Sequence, residues 1–121
     1  MSNELINDLN KLPSKIKELK EKRYNTILEK NIVLDNLAYQ EANIKEEILN
    51  EIDENGKKKY PNETSRKTEF EQRSKIEERY SQYIDKLLIL DKSITLDNIQ
   101  LEYLEDTQRN IRSILNYKAN E

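Results

Sequence analysis

The side chains here that could do chemistry are carboxylates, lysines and tyrosines, because the 121 residues include no His, no Cys, no Trp and only one Gly. Closely spaced acids occur at Glu46/Glu47, at Glu77/Glu78 and at Glu102/Glu105/Asp106. Such groups can pass protons or hold an oxygen-liking cation. On a helix rich in Glu, the same spacing also describes a face turned to water. With no His or Cys, neither Ser-His nor Cys-His catalysis is possible, and zinc lacks its usual ligands. Ferritin-like di-metal sites also join their Glu residues to His. One glycine leaves no Gly-rich loop to cradle a phosphate. The residues nominate no catalytic group, no metal ligand and no cofactor, and they point away from an enzyme.

Positive charge gathers in Lys57-Lys58-Lys59, followed by Tyr60 and by Arg66-Lys67. The candidate partner-binding set is Lys57, Lys58, Lys59, Tyr60, Asn62 and Arg66. Its lysines suit an acidic protein surface or a nucleic-acid backbone, and Tyr60 could stack on a base. The competing reading is a solvated loop that neutralises the acidic end of the preceding helix, at Glu46, Glu47, Glu51, Asp53 and Glu54. Overall charge favours a protein partner. At −3, from 21 basic and 24 acidic residues, the chain lacks the basic excess needed to wrap duplex DNA.

These residues need helices to position them. Apolar side chains make up 35% and charged ones 37%, a poor recipe for a compact globule and a good one for long helices with narrow apolar stripes. Between Tyr80 and Leu115 a seam runs at steps of three and four: Tyr80, Tyr83, Leu87, Leu90, Ile94, Asp97, Leu101, Leu104, Gln108, Ile111 and Leu115. A mean step of 3.5 residues keeps one side of a helix against a partner. The first half carries Leu5, Leu9, Leu12, Ile16 and Leu19 at the same steps. The stripe then drifts through Arg23 to Ile27, Leu34, Leu37, Ile44, Ile48 and Ile52.

Two prolines and the glycine supply the punctuation. Pro13 separates a short helix at 3–11 from a long one at 13–53. Asn55-Gly56 closes the long helix with a left-handed residue, 54–61 form a turn, and Pro61 holds Tyr60 extended. Asn62 caps a second long helix at 62–118, with Glu63 in its first turn. Asp91-Lys92-Ser93 resembles a cap, but the seam crosses it in register, which favours an unbroken helix.

The expected fold is therefore all-α: one domain over 1–121, an antiparallel helical hairpin of coiled-coil type with a short N-terminal helix. Folding back near Lys57–Lys58 sets the basic stretch Lys11–Arg23 against Asp97, Glu102, Glu105 and Asp106, so the charges are complementary. Tyr24, Leu28, Val33, Leu49, Ile84, Leu88, Ile99 and Ile114 lie off the seam and suggest a second interface, a homodimer packed as a bundle. Tyr80 and Tyr83 are expected in the core. Asp97 and Gln108 are polar seam residues that can fix register. The beginning Met1-Ser2-Asn3-Glu4 lacks a signal-peptide pattern, no apolar run approaches a membrane span, and the absence of Cys gives no sign of an oxidising compartment. Together these suggest a protein of the cytoplasm, in a host cell.

The run Glu54-Asn55-Gly56-Lys57-Lys58-Lys59-Tyr60-Pro61-Asn62-Glu63-Thr64-Ser65-Arg66, with the later Leu101-Glu102-Tyr103-Leu104 and Arg109, resembles small coiled-coil proteins of phages and prophages. These share a Gly-Lys turn, a Tyr, an Asn-Glu and an Arg one turn on, then a long Glu- and Leu-rich helix. The similarity covers about residues 38–115, and Pro61 stands where the family has a small polar residue. It implies a mobile-element origin among early genes for annealing, recombination and replication. The expected role is a non-enzymatic protein-interaction module, either an accessory of recombination or replication or an inhibitor of a host defence complex. The alternative is direct binding of single-stranded nucleic acid through the basic tip.

Overall fold

The computed structural model describes residues 2–120, with nothing said of the Ser2 side chain; Met1 and Glu121, the ends of the expected 1–121 domain, lie outside that range. The chain is all-α. Among the described residues three helices follow one another, α1 (Ser2–Asn50), α2 (Glu63–Ile76) and α3 (Glu78–Ala119). Among the described residues there is no strand, only an isolated bridge between Ile52 and Lys58. The helices divide between two compact units, one of Met1–Leu28 with Leu90–Glu121 and one of Glu29–Ile89. Length alone does not announce that division.

Besides the end of α1 at Asn50 rather than at 53, two helix boundaries differ from the sequence reading. There is no separate helix at 3–11, because α1 runs through Pro13. The proline removes one hydrogen bond to the carbonyl of Leu9. Leu12 and Ile16 on either side are buried against Leu101, Leu104 and Ile111 of α3, and that packing holds the helix together. Pro13 itself is exposed, so its ring meets water rather than the packed face.

The second difference lies at Glu77. The expected single helix over 62–118 is interrupted there, while Asp91-Lys92-Ser93 is helical throughout. Glu77 is extended (φ −73°, ψ 110°), and its N–H still donates to the Arg73 carbonyl at 2.9 Å. Its own carbonyl then accepts from Ser81 N–H at 3.0 Å and starts α3. Phe70 and Tyr80 meet edge to face across the interruption, with ring centroids 6.0 Å apart. Ten residues on a straight helix would separate them by ~15 Å. The ring contact exists only because the chain turns at Glu77.

In the first unit, α1 and α3 segments run antiparallel. Lys20 pairs with Glu105 at 3.7 Å and Lys22 with Asp97 at 2.8 Å, and the Arg23 guanidinium donates to Asn98 Oδ1 at 2.8 Å. Folding back about Lys57–Lys58 would set Lys22 opposite residue 93, so the observed partner lies one turn further along. In the second unit Glu29 pairs with Lys86 at 3.2 Å, where that same centre places it.

Every seam residue from Tyr80 to Leu115 is buried or half-buried. On α1 the covered face passes through Arg23, Thr26, Lys30, Val33, Leu37, Gln40, Ile44 and Ile48. Val33 is therefore core, not part of a second interface, and Ile84 is half-buried. Ile27, Leu34 and Ile52, expected on the inner stripe, are exposed.

Candidate functional site

The segment after α1 is a compact, self-bonded loop. The Asp53 carboxylate accepts from Asn55 N–H at 2.8 Å and Lys57 N–H at 3.0 Å, while Asp53 N–H donates to the Lys57 carbonyl. Gly56 has φ +77°, the left-handed conformation that suits glycine. It serves this Asp53–Lys57 turn; α1 has already ended at Asn50, so Gly56 is not its C-cap. Asn62 caps α2 as expected. Its side chain accepts from Ser65 N–H at 2.8 Å, and Ser65 Oγ accepts from Asn62 N–H in a capping box.

The six residues nominated from the sequence share this region, and the structure gives four of them internal work. Lys59 Nζ pairs with Glu51 at 3.4 Å and lies 5.7 Å from the Tyr60 ring centre. Tyr60 is half-buried, with the Arg73 guanidinium also 5.7 Å from its ring and its carbonyl accepting from Arg66. Arg73 bonds both Glu51 and Glu69. Hydrogen bonding from Arg73, reinforced by Lys59, holds the Glu51 carboxyl below its ordinary range, and Glu51 in turn raises the Lys59 ammonium. Asn62 is committed to its cap. Lys57 and Lys58 are exposed. The Tyr60 ring is thus engaged by cations of its own chain, which competes with stacking on a base.

The acidic candidates gather in part. Glu46, Glu47 and Glu77 border one open groove of about 550 Å³ with Gln40, Asn43, Ile44, Asn50 and Arg79. Glu105 and Asp106 are instead paired with Lys20 and Arg109. Among the described residues, no group of three or more acids is placed to hold a metal ion.

Two features of the first unit go further than the sequence reading. Asp97 is 4% exposed in an otherwise apolar packed face. Lys22 satisfies its Oδ1, whereas its Oδ2 is buried with no hydrogen-bond partner among the described residues. The other feature is an uncovered row. Leu96, Ile99 and Tyr103 stand on successive turns of α3 at 55%, 59% and 63% exposure. At 100° per residue they lie about 150° around the helix from the face that packs on α1. Tyr24, Tyr39 and Tyr117 are also exposed, and no helix of the described residues is long and apolar enough to cross a membrane. Sequence spacing flagged Ile99 as off-seam, but Leu96 and Tyr103 were not joined to it. A step of three and then one of four, counted from Leu96, recovers the row as a second stripe beside the main seam.

No family model matches this chain, and no curated protein or solved structure does so either.

Proposed function

We propose that this chain is a non-enzymatic, helical protein-interaction module of coiled-coil type, which works by presenting helix faces to another protein. The observation that carries this reading is the exposed row Leu96, Ile99 and Tyr103 on a helix whose opposite face is already packed. Aliphatic and tyrosine side chains aligned over several turns cost free energy in water and are what a helical partner covers. The buried Asp97 carboxylate is engaged by Lys22 of the other helix, a helix-joining contact that fits this reading. The turn motif with its phage-like character supports a mobile-element setting. There the module would be an accessory of recombination or replication, or would occupy the surface of a host defence complex.

Affinity capture from native cell extract tests the reading, with the wild-type chain and Leu96→Glu/Ile99→Glu compared side by side. The expected result is a protein retained by the first and lost by the second. Equal retention by both, or by neither, refutes this face as the working surface. Exposed Lys57 and Lys58 favour a second reading, binding of single-stranded DNA at the tip. Binding that weakens steeply with salt and is lost in Lys57→Glu/Lys58→Glu would support it. No binding at low salt would dismiss it.

A further inference from the structure

We propose that the outer face of α3 pairs with the same face of a second copy of this chain, antiparallel, about a two-fold axis between Leu96 and Ile99. This rests on the interaction-module reading and names a partner for its surface. The face is ordered along the helix as a cation, an apolar centre and an anion. Lys92 precedes Leu96 and Ile99, then Tyr103 follows, and Asp106, which also pairs with Arg109 of its own helix, lies beyond it, all within an arc of about 80°. Exposed Glu102 flanks the acidic end. A parallel pairing would set Lys92 on Lys92 and the acids on the acids. An antiparallel pairing reverses one copy, so each basic end meets an acidic end.

The register follows from spacing. Leu96 and Ile99 are the three-residue step of a new seam, and in antiparallel helices such positions face each other across the axis. Leu96 then lies opposite Ile99 of the second copy. Lys92 falls opposite Tyr103, where an ammonium can sit against the ring. Glu102 is displaced from Lys92 by ~1.5 Å along the axis and Asp106 by ~4.5 Å, both within a lysine's reach. An isologous two-fold makes each of these contacts twice. Four turns of one helix form a small interface, at the lower end of specific ones. Dimerisation is accordingly expected to grow in across ~1–100 µM, the range of weak specific association.

Sedimentation equilibrium of the full chain reads this directly, with helical content checked for each variant. Wild type should move from monomer to dimer across that range. Leu96→Glu/Ile99→Glu changes only exposed positions and should stay monomeric with unchanged helicity. Lys92→Glu should weaken association at least tenfold, and Lys92→Glu with Glu102→Lys and Asp106→Lys should recover most of it. Orientation comes from thiols, for the chain has no native Cys. Leu96→Cys mixed with Ile99→Cys should form a disulfide faster than either variant alone. A wild type that stays monomeric throughout overturns the self-pairing while a positive capture result would leave the module reading standing. Faster coupling of Leu96→Cys to itself, or a dimer indifferent to Leu96→Glu/Ile99→Glu, overturns it as well.

Discussion

Replacing Lys22 by Met should destabilise the first unit far more than an exposed lysine ordinarily would. Lys22 has 61% of its side chain in water, yet its ammonium is the hydrogen-bond partner of a carboxylate that is only 5% exposed. Breaking a fully buried ion pair costs ~3–5 kcal/mol. Here the cation is wet, and water can reach part of the vacated position. The expected loss is therefore ~1–3 kcal/mol, the cost of stranding a buried polar group. Asp97→Leu should behave in the opposite way. It removes a desolvated charge and an unpartnered oxygen from an apolar face, so the change should be neutral or stabilising by up to ~2 kcal/mol. In that background Lys22→Met should cost less than ~0.5 kcal/mol, as for a surface site. The double-mutant cycle should thus return a coupling of ~1–3 kcal/mol. Urea unfolding followed by helical circular dichroism measures all four corners. Equal costs of Lys22→Met in both backgrounds would refute the reasoning, as would an Asp97→Leu variant weaker than wild type by more than ~1 kcal/mol.

Three further outcomes are expected. Ile48 is 1% exposed in the second unit. Ile48→Ala should lower unfolding stability by ~2–4 kcal/mol in the same urea assay, and a loss below ~1 kcal/mol would mean the site collapses or is not packed. Pro13→Ala restores a helix N–H at an exposed site inside α1 and should raise stability by ~1–3 kcal/mol, read as a higher urea midpoint. Glu51 has a folded-state pKa held below its unfolded value by Arg73 first and Lys59 next. Its contribution is present above the ordinary carboxylate pKa and disappears as pH falls through the lowered one. The acid limb of stability should flatten in Glu51→Gln, measured between pH ~5 and ~2; an unchanged limb would show that the pair does not hold the loop.

The packed face of α3 was legible because nine of its eleven seam positions from Tyr80 to Leu115 are apolar, and a 3.5-residue step has no other economical meaning. The N-cap at Asn62 was legible for a similar reason: a short polar side chain follows Pro61 and precedes an acid-led helix. On α1 the pattern was hidden. Arg23, Thr26, Lys30 and Gln40 occupy covered positions, so apolar residues at Ile27 and Leu34 drew the stripe to the wrong side and left Val33 outside it. Long side chains can cover apolar surface with their stems while the heads stay wet. Pro13 misled because tertiary packing overrode a local preference. Glu77 was missed because no Gly or Pro marks it, although Arg73 and Lys75 before it and Glu78 after it are charges that suit a helix end and a helix start. At the tip, charge counting found the lysines and put Glu51 among the acids they could neutralise, but it did not bring in Arg73. The engagement of Lys59 and Tyr60 depends on Glu51 and Arg73, which only folding brings beside them.

The corner at Glu77 differs in kind from one built on glycine. A glycine joint is defined by what the backbone is allowed to do, and it swings over whatever range sterics permit. Here there is no glycine, and two rings, Phe70 and Tyr80, seated edge to face, brace the angle once the chain has turned. Such a corner behaves as a bracket rather than a joint: trimming either ring would blur the direction in which the chain leaves α2 before it removed any helix.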